Sequence, residues 1–183
     1  MAAPYLILSP VGEIETRVMD ILQDRLPGIF GFDTRVVPLL SDLSFAHDRE
    51  RNQYHSTAVL EVLAARCPDD GLKILGVTCE DLFIPILTHV YGEAQLGGRA
   101  AIVSISRLVS GPDMGGVDAG DGRIVKEAVH ELGHCFDLRH CEDDRCIMHY
   151  CRMLADVDKK SQDFCRYCRI MLKDDIKRLS PSL

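Results

Sequence analysis

Residues 130–140 read His-Glu-Leu-Gly-His-Cys-Phe-Asp-Leu-Arg-His, and no other segment restricts so tightly what this chain can build. Ile124, Ala128, Val129, Leu132 and Phe136 recur at helical spacing, which predicts a helix running into this segment from an N-cap at Asp121. Four residues along a helix give about 6 Å of rise and about 40° of rotation, so His130 and His134 share a face and can converge on one tetrahedral zinc. Glu131 lies about 100° round from His130, beside such a metal rather than on it, where a carboxylate can serve as general base toward water.

A catalytic zinc needs a third protein ligand and an open position. His140 supplies the residue type six places after His134, but it cannot share the same straight helix face. The chain must bend at about Asp137, and Asp is one of the few non-glycine residues that tolerate left-handed backbone geometry. A downstream glutamate as third ligand is the weaker arrangement, because Glu142 is the last glutamate in the chain and follows His140 too closely.

Eight cysteines raise the question of redox compartment. The opening MAAPYLILSPVGE has no basic leader, and its apolar stretch at residues 5–8 is far shorter than a signal core or a membrane span, so the expected location is cytoplasmic. Thiols there stay reduced, which makes metal binding the better use for them. Cys141, Cys146, Cys165 and Cys168 form two pairs separated by a loop, the spacing of a four-thiolate structural zinc site. Cys67, Cys79, Cys135 and Cys151 lack such spacing and are expected to be buried hydrophobes. A net charge of −7 opposes nucleic acid and anionic membrane as partners. No pattern specifies an oligomeric state.

Periodicity predicts a strand at residues 5–8, a helix over 12–26 stopped by Pro27 and Gly28, and a β-rich segment at 34–40. A helix follows over 54–66, then strands at 73–78, 86–91 and 100–106. Residues 108–122 hold five glycines and read as a long loop. The C-terminal segment 163–179 predicts an amphipathic helix burying Phe164, Tyr167, Cys168, Met171, Leu172, Ile176 and Leu179. The fold class is α+β with an α/β-like N-terminal part: a mixed twisted sheet of four to five strands, at least one antiparallel, packed on two long helices.

The segment 130–140 resembles the metzincin metallopeptidases, whose pattern is H-E-x-x-H-x-x-G-x-x-H followed by a methionine turn. Asp137 stands where that family has glycine. Together with Cys141, Cys146, Met148 and the pair Cys165/Cys168, the block looks like the archaemetzincin family in particular. The resemblance implies a zinc peptidase acting on a peptide or protein substrate. Two zinc ions are implied, one catalytic on His130, His134 and His140 and one structural on the four cysteines. It further implies that Met148 floors the site, that Tyr150 takes the place of a tyrosine that swings on and off the metal, and that an antiparallel edge strand, placed at Ile86–Ala94, pairs with extended substrate. One domain is expected, with residues 1–136 as an upper subdomain carrying sheet and active-site helix. Residues 137–183 would form a lower one with the methionine turn, the cysteine site and the C-terminal helix. The alternative is a zinc-stabilised peptide-binding protein without turnover, suggested by the Asp137 departure and by the lack of a recognisable specificity pocket.

Overall fold

The computed structural model of the chain describes residues 3–109 and 117–179. Strand β1 (Tyr5–Pro10) leads to helix α1 (Thr16–Phe30) and strand β2 (Asp33–Val36). The expected stop at Pro27 and Gly28 is wrong, because α1 runs through both to Phe30 and closes on Gly31 at φ 77°, whose N–H donates to the Pro27 carbonyl. Pro27 lacks the N–H that would have bonded Gln23, four residues back. The Gln23 carbonyl accepts from the Thr34 hydroxyl at 3.4 Å instead, so the next strand supplies what the proline withholds.

Then come β3 (His47–Asp48), β4 (Gln53–His55), α2 (Ser56–Ala65), β5 (Gly71–Thr78), β6 (Leu82–Phe83), β7 (Gly92–Ala94) and β8 (Ala100–Ser104). The main sheet has the order β2-β1-β5-β8-β7, and β3-β4-β6 form a small second one. Pairings among β2, β1, β5 and β8 are parallel, whereas β7 runs antiparallel to β8 at the edge. The expected mixed sheet of four to five strands, at least one of them antiparallel, is observed with five, the antiparallel one at the edge. The strand expected at 86–91 is not: Pro85 offers no N–H to a ladder, Leu87 N–H turns back to the Ile84 carbonyl, and Ile86 is 86% exposed. The edge strand proper begins only at Gly92.

Strand side chains alternate between two cores. Leu6, Leu8, Leu75, Val77, Ala101 and Val103 face α1 and the long helix α3 (Val117–Cys135). Tyr5, Ile7, Ile74, Ala100 and Ile102 face α2. Helix α3 starts at Val117, so Asp121 is an interior residue rather than the expected N-cap, and its carboxylate pairs with Arg17 of α1. The segment expected as a loop over 108–122 is therefore helical from 117, and residues 110–116 lie outside the described ones.

After α3 the chain forms the short helix α4 (Leu154–Lys159) and ends in α5 (Arg166–Leu179). The buried stripe there is narrower than expected: Phe164, Cys168 and Leu172 are covered, while Tyr167, Met171 and Leu179 are exposed. Tyr167 and Met171 each sit one residue, about 100°, off the covered row. Of the four cysteines expected to be buried, Cys135 is, Cys67 and Cys151 are half-buried, and Cys79 is exposed beyond the end of β5. No helix among the described residues is long and apolar enough to cross a membrane.

Candidate metal centre and cleft

The end of α3 is built to turn. Leu138 N–H donates to the Gly133 carbonyl and Asp137 N–H to the His134 carbonyl, the two bonds of a Schellman cap. Its left-handed position is Asp137, at φ 59°. The turn swings His140 back, so that ligand nitrogens of His130, His134 and His140 all lie within 4.8 Å of one another.

Each helical histidine is oriented from behind. His130 Nδ1 lies 2.9 Å from the Ile147 carbonyl and His134 Nδ1 lies 2.7 Å from the Leu138 carbonyl. A carbonyl only accepts, so these nitrogens carry the protons, and each Nε2 presents a lone pair. The two Nε2 atoms lie 3.2 Å apart. Two facing lone pairs at that distance suit a shared cation, and Zn–N bonds of about 2.0–2.1 Å in a tetrahedron place nitrogens about 3.4 Å apart. Burial, then the charge of Lys160, holds His130 well below the usual imidazole range. Burial likewise lowers His134, to about 4, and lowers His140. Neutral imidazole is the ligating form.

Met148 is fully buried beneath α3. A Cβ at Gly133 would meet its sulfur at 2.5 Å, so this glycine admits the methionine against the helix backbone. The methionine turn is stitched to its neighbours by Cys141 N–H to the Met148 carbonyl and Ile147 N–H to the Asp163 carbonyl. The Tyr150 ring stands 5.0 Å from that of His140 and is 41% exposed.

Glu131 is 6% exposed and lines a cleft of about 940 Å³ together with all three histidines. Burial, then the charge of Glu127, raises its carboxyl well above the usual range, and Lys160 partly offsets this. The edge strand passes directly over it. A Cβ at Gly92 would fall 2.6 Å from Glu131 Cγ. Glu93 points the other way, where Ser56 and Thr57 at the start of α2 hold its carboxylate. The β7–β8 turn is fastened to the ligand helix as well, since Gly97 N–H donates to the His134 carbonyl at 2.9 Å.

Sulfur atoms of Cys141, Cys146, Cys165 and Cys168 also lie within 4.8 Å of one another. Cys141 Sγ and Cys165 Sγ are 3.8 Å apart, and four Zn–S bonds of about 2.3 Å give an edge of about 3.8 Å. Burial pulls the Cys165 thiol up, but hydrogen bonds from the Cys168 backbone and the neighbouring thiols outweigh it and lower the thiol overall. Burial and the nearby Cys146 push Cys168 strongly up. A metal ion held there would keep its thiol ligands deprotonated.

Comparison with known proteins decides the lineage. A family model described as Peptidase family M54 matches residues 17–174. The chain belongs to peptidase family M54. The archaemetzincin of Methanocaldococcus jannaschii is 33% identical over 173 residues, covering 92% of this chain and 93% of its own. The crystal structure of archaemetzincin from Archaeoglobus fulgidus complexed with malonate superposes with a TM-score of 0.78 at 35% identity, covering 91% of this chain and 99% of the other. That from Methanopyrus kandleri gives 0.83 at 32% identity, with 95% and 96% covered. This M54 member is accordingly a zinc metallopeptidase of the archaemetzincin family, with peptide or protein as its substrate class.

The sequence reading overlooked Gly92, Gly133, Glu127 and Lys160. Glu127 had a usable signal, since it precedes Glu131 by four residues on the same helical face. Lys160 had none, standing beside an exposed Lys159 of identical type.

Proposed function

We propose that this archaemetzincin cleaves peptide bonds with Glu131 as the general base, on a zinc held by His130, His134 and His140. The observation that carries the reading is the convergence of three imidazoles on a point that shares its cleft with the Glu131 carboxylate. Bound zinc supplies Lewis acidity, which acidifies water and polarises the scissile carbonyl. Glu131 accepts a proton from the attacking water at a carboxylate oxygen and returns it to the departing amine nitrogen. The same carboxylate serves both halves, as base while ionised and as acid once it has taken the proton.

Edge strand β7 offers its unpaired side to an extended substrate, in antiparallel addition to the sheet. Support comes from its position last in the sheet order and from Gly92 and Ala94, whose small size leaves its cleft-facing side clear. Met148 serves as floor, and Tyr150 stands at the rim of the histidine set. Residues 1–136 act as the upper wall of the cleft and 137–183 as the lower. A second zinc on Cys141, Cys146, Cys165 and Cys168 pins α5 to the methionine turn, which is supported by Cys165 N–H donating to Cys146 Sγ at 3.3 Å.

Glu131→Gln is the deciding variant. It should keep its full zinc content while hydrolysis of a peptide library falls about 10²–10⁴-fold or more, the contribution of a positioned general base. Undiminished turnover with zinc in place would remove Glu131 from the role. A wild-type protein that is zinc-replete and binds peptides without cutting any would favour the non-catalytic binding alternative.

A further inference from the structure

Glu127 is a second carboxylate in the cleft that the reaction does not use. It lies one helical turn before Glu131 on α3, on the same face, and both line the cavity. Like charges four residues apart repel. Lys160, just past α4, answers this with Nζ 2.7 Å from Glu127 Oε1, and the two side chains are only 0% and 4% exposed. The contact balances charge without fixing direction, since neither Lys160 Nζ nor Glu127 Oε1 makes a well-aligned hydrogen bond to any group among the described residues. Tyr91, Cys151 and Arg152 complete this end of the cleft.

We propose that Glu127, charge-balanced by Lys160, is the recognition group of a substrate side-chain subsite that takes an uncharged hydrogen-bond donor, a carboxamide above all. The inference rests on the peptidase reading and adds specificity to it. Four chemical facts select the ligand. An ionised carboxylate only accepts, so it wants a donor. A substrate carboxylate would face both Glu127 and Glu131. A substrate cation would find the Glu127 charge already answered by Lys160, and would lose its hydration for little return. A carboxamide or hydroxyl escapes both penalties. An apolar side chain of the same size would shed water from the acceptor positions of Glu127 that one ammonium cannot fill, and supply no donor in its place.

The test uses zinc-loaded protein and a peptide that it cuts, varied at the residue beside the scissile bond, on each side in turn, among Gln, Met, Glu and Lys. On one side Gln should exceed Met and Glu by about tenfold or more in kcat/KM, because a site built around a hydrogen bond rejects the analogue that lacks it. The double variant Glu127→Leu/Lys160→Met should fold, since replacing both members of a buried ion pair by apolar residues is often neutral or stabilising. It should invert the order, with Met ahead of Gln, at unchanged zinc content. Equal rates for Gln and Met in the wild type, preference for Lys, or an unchanged order in the double variant would each overturn the subsite while leaving the peptidase standing. Failure of the wild type to cut any peptide would instead overturn the reaction itself, and the subsite with it.

Discussion

Gly92 and Glu131 occupy each other's space: a Cβ on the strand residue would lie 2.6 Å from Cγ of the helix residue, and equally close to the Ile102 carbonyl oxygen. The edge strand thus sets the depth of the carboxylate in the cleft. The Ile102 carbonyl cannot yield freely because it belongs to the sheet, so the relief must come from the Glu131 side chain, which lines the cleft. In Gly92→Ala the carboxylate should be displaced by something near 1 Å, and kcat should fall about 10²-fold with zinc content unchanged. A loss of less than about twofold by steady-state kinetics would mean that Glu131 is free to relax and that the strand does not position it.

Asp137 holds the bend that delivers His140. At φ 59° an L-residue carries a penalty of roughly 1–2 kcal/mol, smaller for Asp and absent for Gly. Asp137→Gly should therefore retain zinc as well as the wild type against a competing chelator. Asp137→Val, β-branched at a left-handed position, should melt lower and surrender the metal sooner. Equal retention by the valine variant would show that the turn does not govern the His140 ligand.

The sulfur cage predicts a folding phenotype. Structural zinc in small sites contributes about 10–16 kcal/mol of apparent binding free energy, comparable with the stability of a whole domain. Cys168→Ser should melt far below the wild type, and any protein that folds should carry one zinc fewer per chain. Wild-type melting and undiminished zinc in that variant would contradict a metal at the four cysteines.

A pH dependence follows from Arg123 and Asp158, which join α3 to α4 through two bonds of 2.6 and 2.7 Å. The hydrogen bond from Arg123 holds the Asp158 carboxyl below its ordinary 3.8. The folded state therefore prefers the ionised form. This stabilisation is complete above 3.8 and disappears as pH falls through the lowered folded value. Asp158→Asn should cost about 1 kcal/mol at neutral pH, a charged hydrogen bond discounted for a half-exposed partner. Denaturation curves of variant and wild type should draw together in acid. A gap that persists unchanged there would assign the loss to packing.

The grouping of the candidate ligand side chains was legible before any coordinates because it is local. Helical spacing alone aligns His130 with His134, a bend is needed near Asp137 to bring back His140, and the paired cysteines point to one cluster of four sulfurs. Broad architecture followed from alternation of strand and helix, which encodes layers. Element ends were read less well, since Pro27 and Asp121 carry boundary propensities that Thr34, in the next strand, and Arg17, on another helix, override.

What only the tertiary structure decided are the relationships between residues that share no period. Gly92 precedes Glu131 by 39 positions and Glu127 precedes Lys160 by 33, and neither partner marks the other in the sequence. Backbone periodicity assigns a side chain to a face, whereas its depth, its neighbours and the charge that answers it depend on how whole elements fill space together. Residue types and spacing thus settle which atoms can hold a metal, and packing settles how a carboxylate and a strand are set against it.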